Sequence, residues 1–145
     1  MASKTARDIM TDSPAVVTPD TTARDAARMM EENDCGSLPV VEGRDAMKLT
    51  GMVTDRDLAL RVLGRGQNPD TPVREAMTSN VSSVKVDDDL DAVERVMSGQ
   101  QVRRVPVVDG QDRVVGIIAQ ADLARELRAV GKDDFARVVE KISQP

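Results

Sequence analysis

The chain repeats itself, and this repetition limits the folds open to it more than any other feature. The segment SLPVVEG at 37–43 returns as RVPVVDG at 104–110, which is 67 positions later. Upstream, the same offset aligns ARDIMT at 6–11 with VREAMT at 73–78. Two similar units of roughly sixty residues each are therefore expected.

The repetition continues downstream with a small change of register. GMVTDRDL at 51–58 returns as GIIAQADL at 116–123 with an offset of 65, so the first copy has two extra residues in its GRDAMK loop. Both copies share a glycine, two apolar residues, three variable positions, an aspartate and a leucine. A segment kept in this form twice is a candidate for function.

Within each copy, strand-like and helix-like patterns alternate. A short apolar strand, at 14–18 or 81–86, precedes a helix whose apolar residues recur at helical spacing. The pairs at 20–21 and 87–88 (Asp-Thr and Asp-Asp) are predicted to cap these helices. A two-stranded hairpin and a second helix follow. The pattern predicts an α+β fold with the order β-α-β-β-α, twice, and two such small units are expected to pack their sheets together with pseudo-twofold symmetry.

The composition excludes several classes of function. The 145 residues include no histidine, one cysteine and one aromatic residue. Without histidine, neither a Ser-His nor a Cys-His nucleophile pair can form, and one cysteine cannot supply a zinc site. Stacking of bases on aromatic side chains is excluded as well. The net charge of −5 argues against binding to nucleic acid.

The sequence predicts neither a membrane protein nor an enzyme. No apolar run approaches the ~20 residues of a membrane span, and the polar start MASKTARDIM lacks the apolar stretch of a signal peptide. A single cysteine is typical of a reducing compartment, so a cytoplasmic protein is expected. Asp55 with Asp57, and the aspartates at 87–89, are candidates for binding Mg²⁺, but no nucleophile or base accompanies them. We therefore expect no metal site and no catalysis.

Together these features resemble a tandem pair of CBS domains, the regulatory module named after cystathionine β-synthase. The resemblance is carried by the Met-Thr steps at 10–11 and 77–78, the LPVVE and VPVVD strands, and the GMVTDRDL and GIIAQADL segments. It implies a ligand-sensing module, usually for adenosine compounds, with up to two sites in a cleft between the repeats. It also implies a homodimer. Since the sequence shows no effector domain, the output is expected to pass either to an unidentified effector protein or through the dimer itself.

The same resemblance sets the predicted domain boundaries. The first repeat is expected at 5–66 and the second at 73–131. The tail at 132–145 is predicted to form a final short helix.

Thr54 and Asp57 are the leading candidates for ligand binding. They match, position by position, the Gly-x-x-Thr-x-x-Asp nucleotide signature of the family. A helix start offers free N–H groups to a phosphate. Thr54 would add a hydroxyl, and Asp57 would accept the two hydroxyls of a ribose. Because Thr-x-x-Asp is also a capping-box pattern, a purely structural role is the alternative.

The second copy changes this pattern in two ways. Ala119 replaces the threonine while Asp122 remains, and an aspartate without its threonine has little capping role. The second site is then weaker, vacant or suited to a ligand without phosphate there, or Asp122 is a leftover of duplication. Arg103 and Arg104 precede the second-copy strand, where basic residues of the family often reach phosphates. They are expected to approach a ligand whose ribose lies on Asp57, and solvated arginines at a strand edge are the alternative.

The remaining candidates surround the expected base and phosphates. Arg56 lies beside the first helix start, and aliphatic side chains and backbone groups of the strands would contact the base. Core packing is the competing explanation for most of them. They are Ser37, Leu38, Pro39, Val53, Pro14, Val81, Val105, Pro106 and Ile118.

Two functional hypotheses follow. The first is a non-enzymatic sensor that binds AMP, ADP or ATP, or a relative such as NAD or S-adenosylmethionine, and transmits a population shift. The second is a structural or interaction module with a decayed pocket, which works through dimerisation or a partner protein. Substitution of Thr54, Asp57 and Arg104 discriminates between them, because silent substitutions support the second.

Overall fold

The computed structural model describes residues 4–100 and 102–129, so the predicted tail helix lies outside the described residues. The helices are α1 (Ala6–Ile9), α2 (Ala23–Glu32), α3 (Asp55–Asp57), which continues as a π-helix (Leu58–Leu63), α4 (Leu90–Gln100) and α5 (Gln120–Ala129), and a 3-10 turn covers Val73–Glu75. The strands are β1 (Thr11–Asp12), β2 (Ser37–Glu42), β3 (Lys48–Thr54), β4 (Thr78–Ser79), β5 (Val84–Lys85), β6 (Arg104–Val108) and β7 (Val114–Ala119).

The chain forms two compact units that do not coincide with the two sequence repeats. The continuous unit is Ala15–Val81, and the split unit combines residues up to Pro14 with those from Ser82 onward. The segment that leads into each repeat therefore belongs to the unit of the other repeat. The boundaries at 5–66 and 73–131 stay a prediction about the repeats.

The split unit contains a four-stranded sheet with the order β1-β7-β6-β5. β6 and β7 form an antiparallel hairpin, β5 runs parallel to β6, and β1 pairs antiparallel to β7. The core combines strand and helix residues, all at most 9% exposed: Ala6, Ile9, Val84, Val86, Val93, Met97, Val105, Val107, Ile118, Leu123 and Leu127.

The continuous unit has a three-stranded sheet with the order β2-β3-β4. Its predicted first strand at 14–18 is reduced to one residue, because Val17 forms a single parallel bridge to Val40. Val84 of β5 pairs with Val107 at the corresponding place in the split unit. The predicted α+β fold and the β-α-β-β-α order are confirmed, although the first strand is very short in both copies.

The predicted helix caps at 20–21 and 87–88 were wrong by one residue. Thr22 and Asp89 are the caps, and each accepts a hydrogen bond from the backbone N–H three residues later, at 3.1 and 2.9 Å. Thr21 and Asp88 have another role, because each side chain accepts a hydrogen bond from the backbone N–H three residues earlier, at 3.1 and 2.8 Å. These polar residues close a turn before the helix begins.

The repeated glycine allows two backbones to approach closely. A Cβ on Gly51 would lie 2.6 Å from the carbonyl oxygen of Thr78 on β4. A Cβ on Gly116 would collide with the Met10 side chain and lie 3.0 Å from the carbonyl oxygen of Thr11 on β1. The lead-in strands can therefore pair with the hairpins only because these positions lack a side chain. Within the described part of the chain, no helix is long and apolar enough to cross a membrane.

Candidate functional site

Thr54 and Asp57 form a capping box at the point where β3 passes into α3. Thr54 Oγ1 accepts from the Asp57 N–H at 3.0 Å, and Asp57 Oδ2 accepts from the Thr54 N–H at 2.9 Å. The pair therefore caps the helix, as the structural alternative expected. The second carboxylate oxygen takes no part in the cap, because Asp57 Oδ1 has no hydrogen bond or ion pair among the described residues. We call residues 54–57, with the facing Gly36 and Ser37, the first junction.

The corresponding place in the split unit is the second junction, residues 119–122 with the facing Arg103 and Arg104. Asp122 Oδ2 accepts from the Ala119 N–H at 2.9 Å. The aspartate therefore satisfies a helix-start N–H even without a threonine. The expectation that it has little capping role was wrong, because this bond needs only the backbone of residue 119. Asp122 Oδ1 also lies 3.7 Å from Arg125 Nη2.

The two junctions share a backbone arrangement. The Asp55 N–H donates to the Gly36 carbonyl at 2.9 Å, and the Gln120 N–H donates to the Arg103 carbonyl at 2.7 Å. Each bond holds the start of a helix against the start of the hairpin's first strand. Differences between the junctions therefore arise from side chains.

The facing side chains differ at two opposed positions. Ser37 lies opposite Thr54 across the first hairpin, and Arg104 lies opposite Ala119 across the second. Ser37 Oγ is inaccessible and has no hydrogen-bond partner in the described structure. Arg104 is partly buried, and no described residue pairs with its guanidinium.

The local charges of the junctions have opposite signs. The first contains Asp55, Asp57 and the exposed Arg56, with a net negative charge. The second contains Arg103, Arg104 and the single acid of its helix start, with a net positive charge. Thr54 and Asp57 belong to the continuous unit and both arginines to the split unit. The expectation that they meet at one ligand stays a prediction.

The aliphatic candidates fall into two groups. Four have side chains in the cores at no more than 1% exposure: Leu38, Val53, Val105 and Ile118. Pro39 and Pro106 are also buried, whereas Pro14 and Val81 are partly exposed. Core packing accounts for the first four, and a role in contacting a base stays a prediction for all eight.

The helix after Asp57 holds a feature that the sequence analysis missed. Leu58–Leu63 is a π-helix, and the Gly64 N–H donates to the carbonyl five residues earlier at 2.7 Å. A Cβ on Gly64 would lie 2.8 Å from the Leu60 carbonyl oxygen, so the glycine at this position was the one feature of the sequence that could have indicated an unusual helix end. The second copy has Ala129 there and remains α-helical. Such π segments occur often at functional sites.

Arg61 on this π-helix makes a contact that the sequence analysis also missed. Its Nη1 donates to the carbonyl oxygens of Ala76 and Met77 at 3.0 and 3.3 Å. The helix that follows the first junction is thus attached to the segment between the 3-10 turn and β4. As for metals, no cluster of three or more carboxylate, histidine or cysteine ligands is found in the residues described.

Comparison with known proteins agrees with this architecture. The CBS domain model matches residues 6–64 and 73–129. The CBS domain-containing protein YhcV of Bacillus subtilis (strain 168) is 41% identical over 118 residues, which cover 81% of each chain.

Two solved structures of similar proteins contain adenosine compounds. CBSX2 in complex with AMP is 27% identical, with a TM-score of 0.75 over 89% of this chain and 99% of that one. The CBS domain pair of protein MJ0100, in complex with 5′-methylthioadenosine and S-adenosyl-L-methionine, is 30% identical, with a TM-score of 0.77 over 90% of this chain and all of that one. With two matched domains over most of its length, this chain belongs to the CBS domain family as a tandem pair.

Proposed function

We propose that this chain is a non-enzymatic sensor of an adenosine compound, with the ribose held at the first junction. The observation that carries the proposal is Asp57 Oδ1, which makes no hydrogen bond among the described residues although its carboxylate is bonded to Thr54 at the start of a helix. A carboxylate oxygen is a strong acceptor for ribose hydroxyls, and bonds to a charged acceptor are stronger than neutral ones. The AMP, 5′-methylthioadenosine and S-adenosylmethionine complexes of similar proteins support this ligand class.

The proposed site uses atoms that the cap leaves available. Asp57 Oδ2 stays on the Thr54 N–H while Oδ1 accepts from the ligand. The Thr54 hydroxyl accepts from the Asp57 N–H and retains its own hydrogen to donate. Binding therefore leaves the helix start intact, and the ligand acts by favouring one conformation of the chain over others.

A thermal-shift panel with AMP, ADP, ATP, NAD, S-adenosylmethionine and 5′-methylthioadenosine tests the proposal. A compound at 100 times its Kd should stabilise the chain by about 2.7 kcal/mol. Asp57→Ala is expected to abolish the shift. Thr22→Ala is the control, because it removes a helix cap of the same unit that is far from the junction in sequence. This variant should retain the thermal shift. The absence of a shift with all six compounds contradicts the proposal.

An interaction module is the second candidate, and two exposed leucines of the π-helix favour it. Leu60 and Leu63 on the π-helix are 52% and 79% exposed. In the second copy the corresponding residues are Arg125 and Arg128. Large apolar side chains exposed together often mark interaction sites. If these leucines mediate the expected homodimer, Leu60→Arg with Leu63→Arg should convert a dimer to a monomer in sedimentation velocity, and an unchanged sedimentation coefficient would exclude that role.

A further inference from the structure

We propose that the segment leading into the first repeat swaps between two copies of this chain. We call this segment, residues 4–13, the arm. In the swap, α1 and β1 of one copy pack onto the split unit of the other copy. The partner is therefore a second copy of this chain, and the receiving surface is the face of the split unit that α1 and β1 cover. The swap needs no ligand, and it does not use the exposed leucines of the π-helix.

The arm makes its contacts with residues far along the chain. Ala6 and Ile9, 0% and 9% exposed, belong to the core of the split unit. The N–H groups of Ala6 and Arg7 donate to the carbonyls of Asp88 and Val86 at 2.8 and 3.1 Å, and β1 pairs with β7. Because the receiving residues are identical in every copy, a swapped arm makes the same contacts. For this reason, domain swapping is a low-cost route to a dimer.

The connection between the arm and the continuous unit is strained. Ser13 has a φ of 50°, in the left-handed region that glycine, and less often asparagine or aspartate, adopts. Pro14 follows, and a proline favours extended backbone at the residue before it. Extended backbone at Ser13 relieves both costs, but it turns the arm out of its place in the same chain. Short connections under strain favour domain swapping.

The second crossing between the units differs in both its conformation and its attachment. Asn80 has a φ of 56°, but asparagine tolerates this conformation, and Val81 follows it instead of a proline. The chain that leads to β4 is also fixed within the continuous unit, because the Ala23 N–H donates to the Thr71 carbonyl at 2.8 Å. β4 therefore stays with its own copy, and the swap is confined to the arm.

Disulfides across the β1–β7 pairing test the inference. Thr11 lies opposite Ile117, and opposed residues of antiparallel strands have Cα atoms about 4.5–5.5 Å apart, within disulfide range. One full-length chain carries T11C and a second, tagged chain carries I117C, both with C35S to remove the native thiol. After the two are refolded together from urea and oxidised, we expect a disulfide between the chains in non-reducing electrophoresis. The control pairs T78C with M52C, the matched positions of β4 and β3, and should give no disulfide between chains.

A chain that carries both T11C and I117C, with C35S, shows whether the two cysteines are tolerated. At low chain concentration it should close within one chain, and circular dichroism verifies that every variant is folded. The mixed chains are then compared at rising concentration. A product between T11C and I117C chains that is no more abundant than the control product overturns the inference.

Variants at the two crossings test whether strain drives the swap. Ser13→Gly accepts the left-handed conformation without cost, so the chain concentration for half-maximal cross-linking should rise about tenfold or more. Asn80→Gly is the matched change at the second crossing and should leave this concentration unchanged. Leu60→Arg with Leu63→Arg should also leave it unchanged, because the arm does not use these leucines. An equal effect of Ser13→Gly and Asn80→Gly, or loss of the cross-link in the leucine variant, overturns the inference.

Discussion

Thr54 has two roles that substitution can separate, because an equivalent cap lies elsewhere in the same unit. Thr54→Ala and Thr22→Ala each remove a hydroxyl that accepts a helix-start N–H, at 3.0 and 3.1 Å. Each should lower the free energy of unfolding by about 1 kcal/mol. Only Thr54→Ala should also reduce the thermal shift produced by the ligand. Urea denaturation measures the free energy of unfolding, and the ligand panel measures the thermal shift. If both variants lost the shift equally, the loss would follow from reduced stability and not from a ligand contact of Thr54.

The sequence motif predicted Thr54 and Asp57 as site residues, but it did not predict the environment of Ala119 and Asp122, their counterparts in the second copy. That Asp122 would hold the Ala119 N–H was not foreseen, because this bond depends on the backbone at the helix start. The opposition of Arg104 and Ala119 was hidden for another reason. The register of the β6–β7 hairpin shifts between Val107 and Val108, and such an irregularity has no reliable signature in a single sequence.

At the scale of the element, the strand glycine should resist substitution more than a helix glycine. Gly51→Ala places a methyl group 2.6 Å from a backbone carbonyl that cannot rotate away, so we expect a loss of about 1–3 kcal/mol. Gly99 lies in α4 with no atom within 4 Å of an added Cβ. Gly99→Ala should therefore stabilise the chain by roughly 0.5–1 kcal/mol. Denaturation midpoints measure both, and a neutral Gly51→Ala would contradict the role of this glycine in strand pairing.

The β6–β7 turn should contribute stability that depends on pH. Hydrogen bonds from the backbone N–H groups of Arg113 and Gln111, aided by the Arg113 side chain, lower the pKa of Asp109. The Asp109 carboxylate accepts these bonds at 2.8–3.0 Å. A carboxyl whose pKa falls on folding stabilises the folded state above its unfolded pKa, and this stabilisation is lost as the pH drops through the folded value.

Asp109→Asn keeps an acceptor oxygen but removes the charge, so it isolates this effect. The variant should be less stable than the wild type at about pH 6, and the difference should shrink at about pH 3, below the unfolded carboxyl value. Urea midpoints at both pH values, with an NMR titration of the Asp109 carboxyl, provide the measurement. A difference that is the same at both pH values would show that the charge is not involved.

Periodicity predicted most elements in their approximate places, since it reports which face of a segment is apolar. It did not distinguish the π-helix at Leu58–Leu63 from an α-helix, because the two differ by one residue in the hydrogen-bonding step. It also overestimated the first strand of each copy. The strand predicted at 14–18 is a single bridge between Val17 and Val40. Because Val40 lies on another strand, the pattern of residues around Val17 does not show how far the pairing extends.

The sequence predicted the two repeats of the chain. It did not predict that the segment leading into each repeat joins the compact unit of the other repeat. Similarity along the chain identifies copies, but it cannot say which hairpin a short strand joins. β1 pairs with β7 of the second copy, and β4 pairs with β3 of the first. Both choices depend on tertiary pairing at Gly116 and Gly51. The compact units therefore cross the repeat boundaries.

This exchange predicts where the effect of a core substitution will be felt. Ile9 lies in the first repeat by sequence, but its side chain, 9% exposed, belongs to the core of the split unit. Ile9→Ala should cost about 2–5 kcal/mol, as is usual for a buried isoleucine. We expect the amide hydrogen-exchange protection of β6 and β7 to fall while that of β2 and β3 is retained.

Val73→Ala is the matched variant, because Val73 is 0% exposed and belongs to the core of the continuous unit, although it begins the second repeat. Its loss of protection should appear in β2 and β3 and spare β6 and β7, the reverse of the Ile9 variant. Local opening within cooperative units gives each substitution its own set of exposed amides. If both variants lose protection in the repeat that contains the substitution by sequence, the exchanged arrangement is wrong. If both lose it evenly, the two units unfold as one.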